Sequence, residues 1–225
     1  MFNKSKTLIL NQLIIHLIMK KLPSLCFAFL ACIYFTATAQ NNSRFEDILT
    51  ENYKKRSALY DYTEVNLNNT DTIADFETKA EKLKITGTIY HSDGITPAKD
   101  VILYVCQSDE KGNYQLKRDT KKKRYIHHRA WIKTDADGKY TFYTFMPGKL
   151  LRTKDLKQIL RTIKEPGKPE QELTPFFFND DPLIPSLTLA CRAEAAKSML
   201  RLEEKDGMLV GTRDIRLSKT NSPEF

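Results

Sequence analysis

The stretch Thr134–Gly148 constrains the fold of this chain more than any other part of the sequence. Asp137 and Gly138 lie between two segments of strand character, and glycine supplies the positive φ that a tight hairpin turn requires. After the turn, Lys139–Phe145 is aromatic and rich in threonine, which is typical of a strand with at least one buried face. A Pro-Gly pair then ends the segment. The stretch therefore predicts a β-hairpin whose second strand contributes to a hydrophobic core.

Further segments separated by turn residues have the character of strands. They are Lys84–Tyr90, Val101–Cys106, Ile159–Lys164, Leu173–Phe178 and Met208–Leu217. Val101–Cys106 is apolar at every position, which favours a central strand of a two-layer sandwich. Ala193–Glu204 contains neither glycine nor proline and predicts one helix near the C-terminus. The expected fold class is therefore all-β, an antiparallel β-sandwich with one C-terminal helix.

The N-terminus has the pattern of a secretory signal peptide. From Met19 a basic start is followed by an apolar stretch and by the small-residue site Ala37–Ala39. We expect a signal over residues 1–39, with 19–39 as its core and cleavage after Ala39. A membrane anchor is the alternative, but the apolar run is short for a span. The protein is therefore expected to be secreted or periplasmic, with no membrane span after cleavage.

The mature chain divides into three parts by composition. Residues 40–83 are polar and predict an N-terminal arm with one short helix, because Phe45, Ile48, Leu49 and Tyr53 lie at helical spacing. Residues 84–217 carry the strand pattern and are expected to form the β-sandwich domain. Residues 218–225 are expected to be a flexible tail.

The charge of the chain argues against nucleic acid as a partner. The net charge is +8, and removal of residues 1–39 takes away four lysines and no acidic residue, which leaves +4. The basic excess is concentrated in Lys117–Arg124, which predicts a solvated loop. A contact for polyanionic glycans or lipid headgroups is the alternative. Aromatic residues do not interleave this run, and an exported protein does not meet nucleic acid.

Two cysteines, Cys106 and Cys191, remain after signal cleavage. An oxidising compartment permits a disulfide between them, and two buried free thiols are an equal alternative. The chain has no C-x-x-C motif, so cysteine spacing indicates neither a metal site nor a redox site.

Four motifs, in this order, resemble those of the intradiol ring-cleavage dioxygenase family. They are Gly112-Asn113-Tyr114, Trp131–Asp135, Phe177–Leu183 and Thr212–Leu217. The family includes catechol, protocatechuate and hydroxyquinol dioxygenases, and its domain is a prealbumin-like β-sandwich. The resemblance covers Leu83–Leu217, which is nearly the whole mature domain.

The resemblance implies a ferric iron held by two tyrosines and two histidines. Tyr114 matches the first tyrosine, but Leu150 stands at the position of the second. Gln158 and Leu160 stand where the two histidines are expected, just before Lys164-Glu165-Pro166. Leucine has no donor atom, and a glutamine amide is a weak neutral donor beside the hard anionic oxygens that suit Fe(III). We therefore expect a degenerate iron site and no cofactor, with Tyr114 the only retained metal-ligand position and a packing aromatic at a turn as its alternative role.

Histidines elsewhere in the chain do not restore the expected ligand set. No histidine follows Thr134. His127 and His128 are adjacent, so on a regular strand their side chains point to opposite faces. They are interpreted as a solvent-facing pair beside the basic run. A rebuilt site could still use Tyr114, one histidine and a second tyrosine, for which Tyr125, Tyr140 and Tyr143 are the candidates.

Three hypotheses for function follow from the sequence. The first is a non-catalytic, exported dioxygenase-like domain that binds a small aromatic molecule, a glycan or a protein. The second is an active non-haem Fe(III) dioxygenase that cleaves a catechol-type diol with a rearranged metal site. The third is a generic prealbumin-like accessory module of a surface protein. The replaced ligand positions favour the first hypothesis.

Overall fold

The computed structural model describes residues 53–62, 67–150, 153 and 155–218. The expected signal peptide, most of the short helix predicted in the arm and nearly all of the predicted tail lie outside these residues. The chain divides after Arg56 into two compact units, and the features below belong to the second. None of the described helices is long and apolar enough to cross a lipid bilayer.

The described part of the chain is built mainly from thirteen strands. Their bounds are β1 Thr70–Thr72, β2 Lys82–Tyr90, β3 Ile102–Gln107, β4 Leu116–Arg118, β5 Arg124–Ile126, β6 Arg129–Lys133, β7 Lys139–Phe145, β8 Gln158–Lys164, β9 Glu170–Phe178, β10 Met199–Leu200, β11 Leu202–Lys205, β12 Met208–Thr212 and β13 Ile215–Arg216. One α-helix, α1, spans Leu189–Ala196, and 3₁₀ turns span Ala58–Tyr60, Phe76–Thr78 and Ile184–Ser186.

The strands form two main sheets and one separate hairpin. The first sheet has the order β1-β7-β2-β12-β11, and β13 also pairs with β2. The second sheet has the order β10-β9-β8-β3-β6, and β4 pairs with β5 alone. Side chains from both sheets form one hydrophobic core, which contains Ile85 and Phe142 from the first and Leu103, Ile132 and Phe176 from the second. The predicted all-β sandwich with one helix is confirmed.

The expectation that the sandwich is antiparallel holds only in part. Four strand pairs are parallel: β1 with β7, β10 with β9, β12 with β2 and β13 with β2. Each joins strands from distant parts of the chain. Only strands linked by a short turn are obliged to run antiparallel, so long connections leave both directions open.

The central strand β3 is buried on both faces, as its unbroken apolar run predicts. Leu103 and Val105 belong to the core between the sheets. Tyr104 and Cys106 point to the opposite side, where a second group of apolar side chains covers them. The second sheet therefore carries a covered outer face in addition to its core face.

The predicted hairpin at Asp137-Gly138 is a turn between sheets instead. Both expected strands are present, but β6 pairs with β3 in the second sheet and β7 pairs with β2 in the first. Gly138 has a φ of +66° and the carboxylate of Asp135 accepts backbone N–H groups from Asp137 and Lys139, at 3.0 and 2.8 Å. This side-chain cap closes a turn wide enough for the two strands to diverge and bury their faces in the same core.

The C-terminal helix is shorter than predicted and lies earlier in the chain. It begins after Thr188, whose hydroxyl accepts the Cys191 N–H, and residues 199–205 form strands instead of continuing it. Leu200 is fully buried in the core, and Asp206 and Gly207, both with positive φ, form the two-residue turn between β11 and β12. Burial and turn chemistry therefore outweigh the helix propensity of this segment.

Candidate functional site

Two loops place the chain around Tyr114 beside the chain around Leu150. The carboxylate of Asp109 accepts two backbone N–H groups of its own loop, at 2.9 and 2.8 Å. The Gly148 N–H donates to the Asp109 carbonyl at 2.8 Å. Gly112 has a φ of +80°, and a Cβ there would overlap the backbone carbonyl of the residue before Leu150. Glycine at this position therefore permits the close approach of the two loops.

Strand β8 places Gln158 and Leu160 on the outer face of the second sheet. Both side chains are half-buried, whereas Ile159 between them is buried in the core. Leu160 lies opposite Cys106 of β3 in the register of the sheet. It packs against a group that we call the outer cluster. That cluster consists of Leu59, Tyr104 and Cys106, with Ala58, Tyr60, Ile126, Trp131 and Leu160 packed against them.

Electrostatic interactions connect Tyr114 to the same region. Burial, assisted by Cys106 and Asp155, raises the pKa of the Tyr114 phenol to about 12. Burial also raises the pKa of the Cys106 thiol to about 11. Both groups are therefore protonated at neutral pH. Cys106 thus interacts electrostatically with Tyr114 and lies opposite Leu160 in the sheet register.

A 3₁₀ turn from the N-terminal side covers the outer face at this place. Leu59 is fully buried there. The indole N–H of Trp131 donates to the carbonyls of Ala58 and Leu59, at 3.1 and 3.0 Å. The hydroxyl of Ser57 accepts the Leu59 N–H at 3.3 Å and caps the turn. The burial of Leu59 has no local signal in the sequence, because the residues around it form no periodic apolar pattern.

Comparison with known proteins relates this geometry to solved structures, although no family model matches the sequence. The dioxygenase domain of a dioxygenase carbohydrate-binding protein fusion from Streptomyces sp. SirexAA-E has a TM-score of 0.55 at 20% identity, over 70% of this chain and 92% of that one. An intradiol ring-cleavage dioxygenase from Tetranychus urticae has a TM-score of 0.53 at 17% identity, over 72% of this chain and 92% of that one. This chain has an intradiol dioxygenase-like fold.

Similarity to a catechol dioxygenase agrees with this assignment of the fold. Catechol 1,2-dioxygenase from Acinetobacter sp. ADP1 matches with a TM-score of 0.51 at 15% identity, over 67% of this chain and 57% of that one. At these sequence identities, the similarity to solved structures shows the fold of this chain and not its activity. What the domain does has to be argued from its own residues.

The basic run of the dioxygenase-like domain is largely exposed, as expected of a solvated segment, but it forms a hairpin and one of its lysines is buried in an ion pair. Strands β4 and β5 pair across it. The side chain of Lys123 is only 5% exposed, and its ammonium donates to both carboxylate oxygens of Asp61, whose side chain is 8% exposed, at 2.7 and 2.8 Å. The ion pair of Lys123 with Asp61 therefore connects the hairpin to the segment that carries Leu59.

A cavity of about 320 Å³ opens beside the outer cluster. Its lining includes Asp61, Tyr62, Asp71, Thr72, Arg129 and Trp131. The Arg129 guanidinium lies over the rings of Tyr125 and Trp131, at 3.9 and 4.7 Å from the ring centroids. Its Nη1 is 3.7 Å from an Asp61 oxygen and has no hydrogen-bond partner among the described residues. The cavity therefore presents a buried cation next to an aromatic face.

Asp71 adds an acceptor to this cavity of the dioxygenase-like domain. One of its oxygens accepts the Trp131 N–H at 2.8 Å, and the other accepts the Thr72 N–H at 2.7 Å. Burial raises the pKa of the Asp71 carboxyl above its ordinary value, although these two hydrogen bonds oppose the shift. The site thus combines acceptor, donor and ring surfaces within a small volume.

His127 and His128 are not a solvent-facing pair on a regular strand. They lie in a bend between β5 and β6, so both rings point toward the same residue, Asp75. His128 is fully buried and packs edge-on against Phe145, with ring centroids 4.9 Å apart. The bend removes the alternation that a strand would impose, which is why the strand argument failed here.

Cys106 and Cys191 are both free thiols, so the alternative without a disulfide is the correct one. Cys106 is buried in the outer cluster, as expected. Cys191 is exposed on α1, so the expectation that it is buried is wrong.

Proposed function

We propose that this dioxygenase-like domain is a non-catalytic, exported binding module without a ferric centre. The observation that carries the proposal is the packing of Leu160 against the apolar outer cluster, where the resemblance implies an iron-ligating histidine. The four donor positions do not fit Fe(III). They supply one phenol whose pKa is raised, one neutral amide and two leucines. No step through iron is therefore derived for this chain.

The rearranged iron site of an active enzyme has little support. The second tyrosine would come from Tyr125, Tyr140 or Tyr143. Tyr125 stacks on Arg129, Tyr140 donates to the Arg213 carbonyl at 2.5 Å, and Tyr143 packs on Phe76 with ring centroids 5.7 Å apart. Each candidate side chain is thus engaged in another contact. An active Fe(III) dioxygenase for catechol-type diols stays the second proposal, because the retained fold favours it.

The third hypothesis, a generic accessory module, explains less. A generic prealbumin-like sandwich gives no reason for the four motifs that, in order, resemble the dioxygenase family. The close approach at Gly112 and the contact of Leu160 with Cys106 favour descent from an enzyme with a site at this position.

The cavity beside the outer cluster is the proposed binding site. Its volume of about 320 Å³ lies within the range of small-molecule pockets. Trp131 offers a ring face, and Arg129 and Asp71 offer a donor and an acceptor. A planar aromatic ring with hydroxyl or carboxylate groups, or one sugar unit of a glycan, has the matching chemistry.

We propose export on the pattern of the N-terminal residues. Cleavage after Ala39 is expected to leave Gln40 as the first residue of the mature protein. N-terminal sequencing of protein recovered outside the cytoplasm of a producing cell checks this, and an intact N-terminus in that fraction would contradict it.

Trp131 makes the binding proposal directly measurable, because it is the only tryptophan of the chain and it lines the cavity. Titration with catechol, benzoate and simple sugars is expected to change its fluorescence saturably for at least one class. The Arg129→Met variant is expected to weaken that binding about tenfold or more, because a desolvated charged hydrogen bond is lost.

Arg201→Met is the matched control, since Arg201 is exposed and does not line the cavity. This control is expected to bind as the native protein does. Equal affinities for native protein and Arg129→Met, or no saturable response to any of these ligands, would contradict the proposed binding site.

A further inference from the structure

Asp75, His127 and His128 form a compact group of metal-ligand side chains away from the dioxygenase ligand positions. We propose that these three residues bind a divalent transition-metal cation of the zinc class. Their ligand atoms all lie within 4.8 Å of one another. Two imidazoles and one carboxylate are a common protein ligand set for such cations, with the remaining positions open to water or a further ligand.

The spacing of the ligand atoms suits one cation. The Asp75 Oδ2 is 3.0 Å from the His127 Nε2 and 3.3 Å from the His128 Nε2. Bonds of about 2.0–2.1 Å in a tetrahedral zinc site place neighbouring ligand atoms about 3.3 Å apart. Small movements of the side chains therefore suffice to close the site around an ion.

Hydrogen bonding within the protein leaves the His127 Nε2 poorly satisfied. This nitrogen faces the Asp75 Oδ2 at 3.0 Å and the Lys117 ammonium at 2.9 Å. If it carries a proton it can donate to Asp75 but then faces an ammonium, and if it has a lone pair it faces a carboxylate. A single ring nitrogen cannot satisfy both neighbours. A cation between the imidazole and the carboxylate resolves the conflict once the exposed Lys117 turns away.

The second histidine presents its Nε2 to the same carboxylate from the protein interior. The His128 side chain is fully buried, and its Nε2 lies 3.3 Å from the Asp75 Oδ2, so in the metal-free protein the ring proton is on Nε2. Its Nδ1 has no hydrogen-bond partner among the described residues. Binding of a metal at Nε2 would therefore displace this proton.

The carboxylate of Asp75 is open to solvent. The Asp75 side chain is 44% exposed, whereas that of His128 is fully buried. An ion would thus be anchored from inside by His128 and completed from outside by water or a small ligand.

The site joins two connections that are distant in sequence. Asp75 lies in the connection between β1 and β2, in a left-handed conformation with a φ of +67°, and the histidines lie between β5 and β6. None of Tyr114, Leu150, Gln158 and Leu160 belongs to it. The inference is thus independent of the proposed loss of the ferric site.

The test is calorimetric titration of the untagged, metal-depleted full chain with ZnCl₂ at pH 7.5. One equivalent is expected to bind to the native protein. Asp75→Asn keeps the shape of the side chain and tolerates the left-handed backbone, and His127→Gln alters a residue near the surface. Each is expected to weaken Zn²⁺ binding at least about 100-fold, because a direct ligand is lost. Lys117→Met is expected to strengthen binding about fivefold by removing a competing ammonium.

His91→Gln is the matched control, because His91 is outside the ligand group and pairs only loosely with Glu165, at 4.0 Å. It is expected to bind Zn²⁺ as the native protein does. The X-ray absorption spectrum of the bound zinc is expected to show two imidazole ligands. Failure of the native protein to bind one equivalent, or native affinity in both Asp75→Asn and His127→Gln, would overturn the inference.

Discussion

Replacing Lys123 by methionine is expected to lower the free energy of unfolding by about 3–5 kcal/mol. The substitution leaves the Asp61 carboxylate almost fully buried after the loss of the ammonium that contacts both of its oxygens at 2.7 and 2.8 Å. Arg129 Nη1 is 3.7 Å away and cannot replace those two short contacts. The loss should also loosen the hairpin β4–β5 from the segment that carries Leu59.

Urea unfolding followed by circular dichroism measures this effect. Lys122→Met is the control, because the neighbouring Lys122 side chain is exposed and its substitution should change stability by less than about 0.5 kcal/mol. The double variant Asp61→Asn with Lys123→Met is expected to regain part of the loss, since the buried carboxylate charge is then removed together with the ammonium. Exposed ion pairs contribute about 1 kcal/mol or less to stability. A free energy of unfolding of Lys123→Met within about 1 kcal/mol of the native value would therefore contradict a stabilising buried pair.

Replacing Leu59 by alanine is expected to lower the free energy of unfolding by about 2–5 kcal/mol. Leu59 is fully buried in the outer cluster, so its removal leaves a cavity between the 3₁₀ turn and the outer face of the second sheet. Trp131 donates to the carbonyls of this turn, and its fluorescence emission should shift toward the red as water reaches the indole.

Thermal and urea unfolding, together with the emission spectrum, measure these changes. Leu189→Ala is a control for the same substitution at a side chain that is 82% exposed, and it should be nearly neutral. If Leu59→Ala and Leu189→Ala have equal stability and unchanged emission, Leu59 does not cover the outer face as described.

Those parts of the fold that depend on local pattern could be predicted from the sequence. The unbroken apolar run of β3 indicates a strand buried on both faces, and Asp137-Gly138 indicates a turn between two strands. The partner of each strand could not be predicted in the same way. An Asp-Gly turn is compatible both with a hairpin and with a connection between two sheets, and burial of both strands in the common core decides between them.

In the segment after α1, the local pattern itself predicts the wrong secondary structure. Helix propensity favours a helix through Glu204, but Leu200 is buried in the core and Asp206 and Gly207 adopt the left-handed conformations of a two-residue β-turn. Helix propensity does not include tertiary burial or turn geometry. Because these two effects favour extended chain here, the segment forms strands β10 and β11.

Features of the site that depend only on residue type could be predicted from the sequence, whereas features that depend on the conformation of the chain could not. The leucine side chains at positions 150 and 160 have no donor atom in any conformation, so the absence of side-chain ligands at these two positions can be read from the sequence. The burial of Lys123 within a run of charges has no local signal. The convergence of His127 and His128 on Asp75 depends on a bend between two strands, which alternation along a regular strand does not anticipate.

The central claim is that the dioxygenase-like domain has no ferric centre at Tyr114. The most direct measurement is the visible spectrum of the purified protein after loading with Fe(III), combined with oxygen uptake in the presence of catechol or hydroxyquinol. Iron bound at Asp75 and the two histidines would have no phenolate ligand and would give no such charge-transfer band. The band therefore distinguishes iron at Tyr114 from iron at that second site, which iron content alone does not. We predict no tyrosinate-to-iron band and no oxygen uptake. A coloured protein with one iron per chain that consumes oxygen with either diol, and loses its colour in Tyr114→Phe, would contradict the claim.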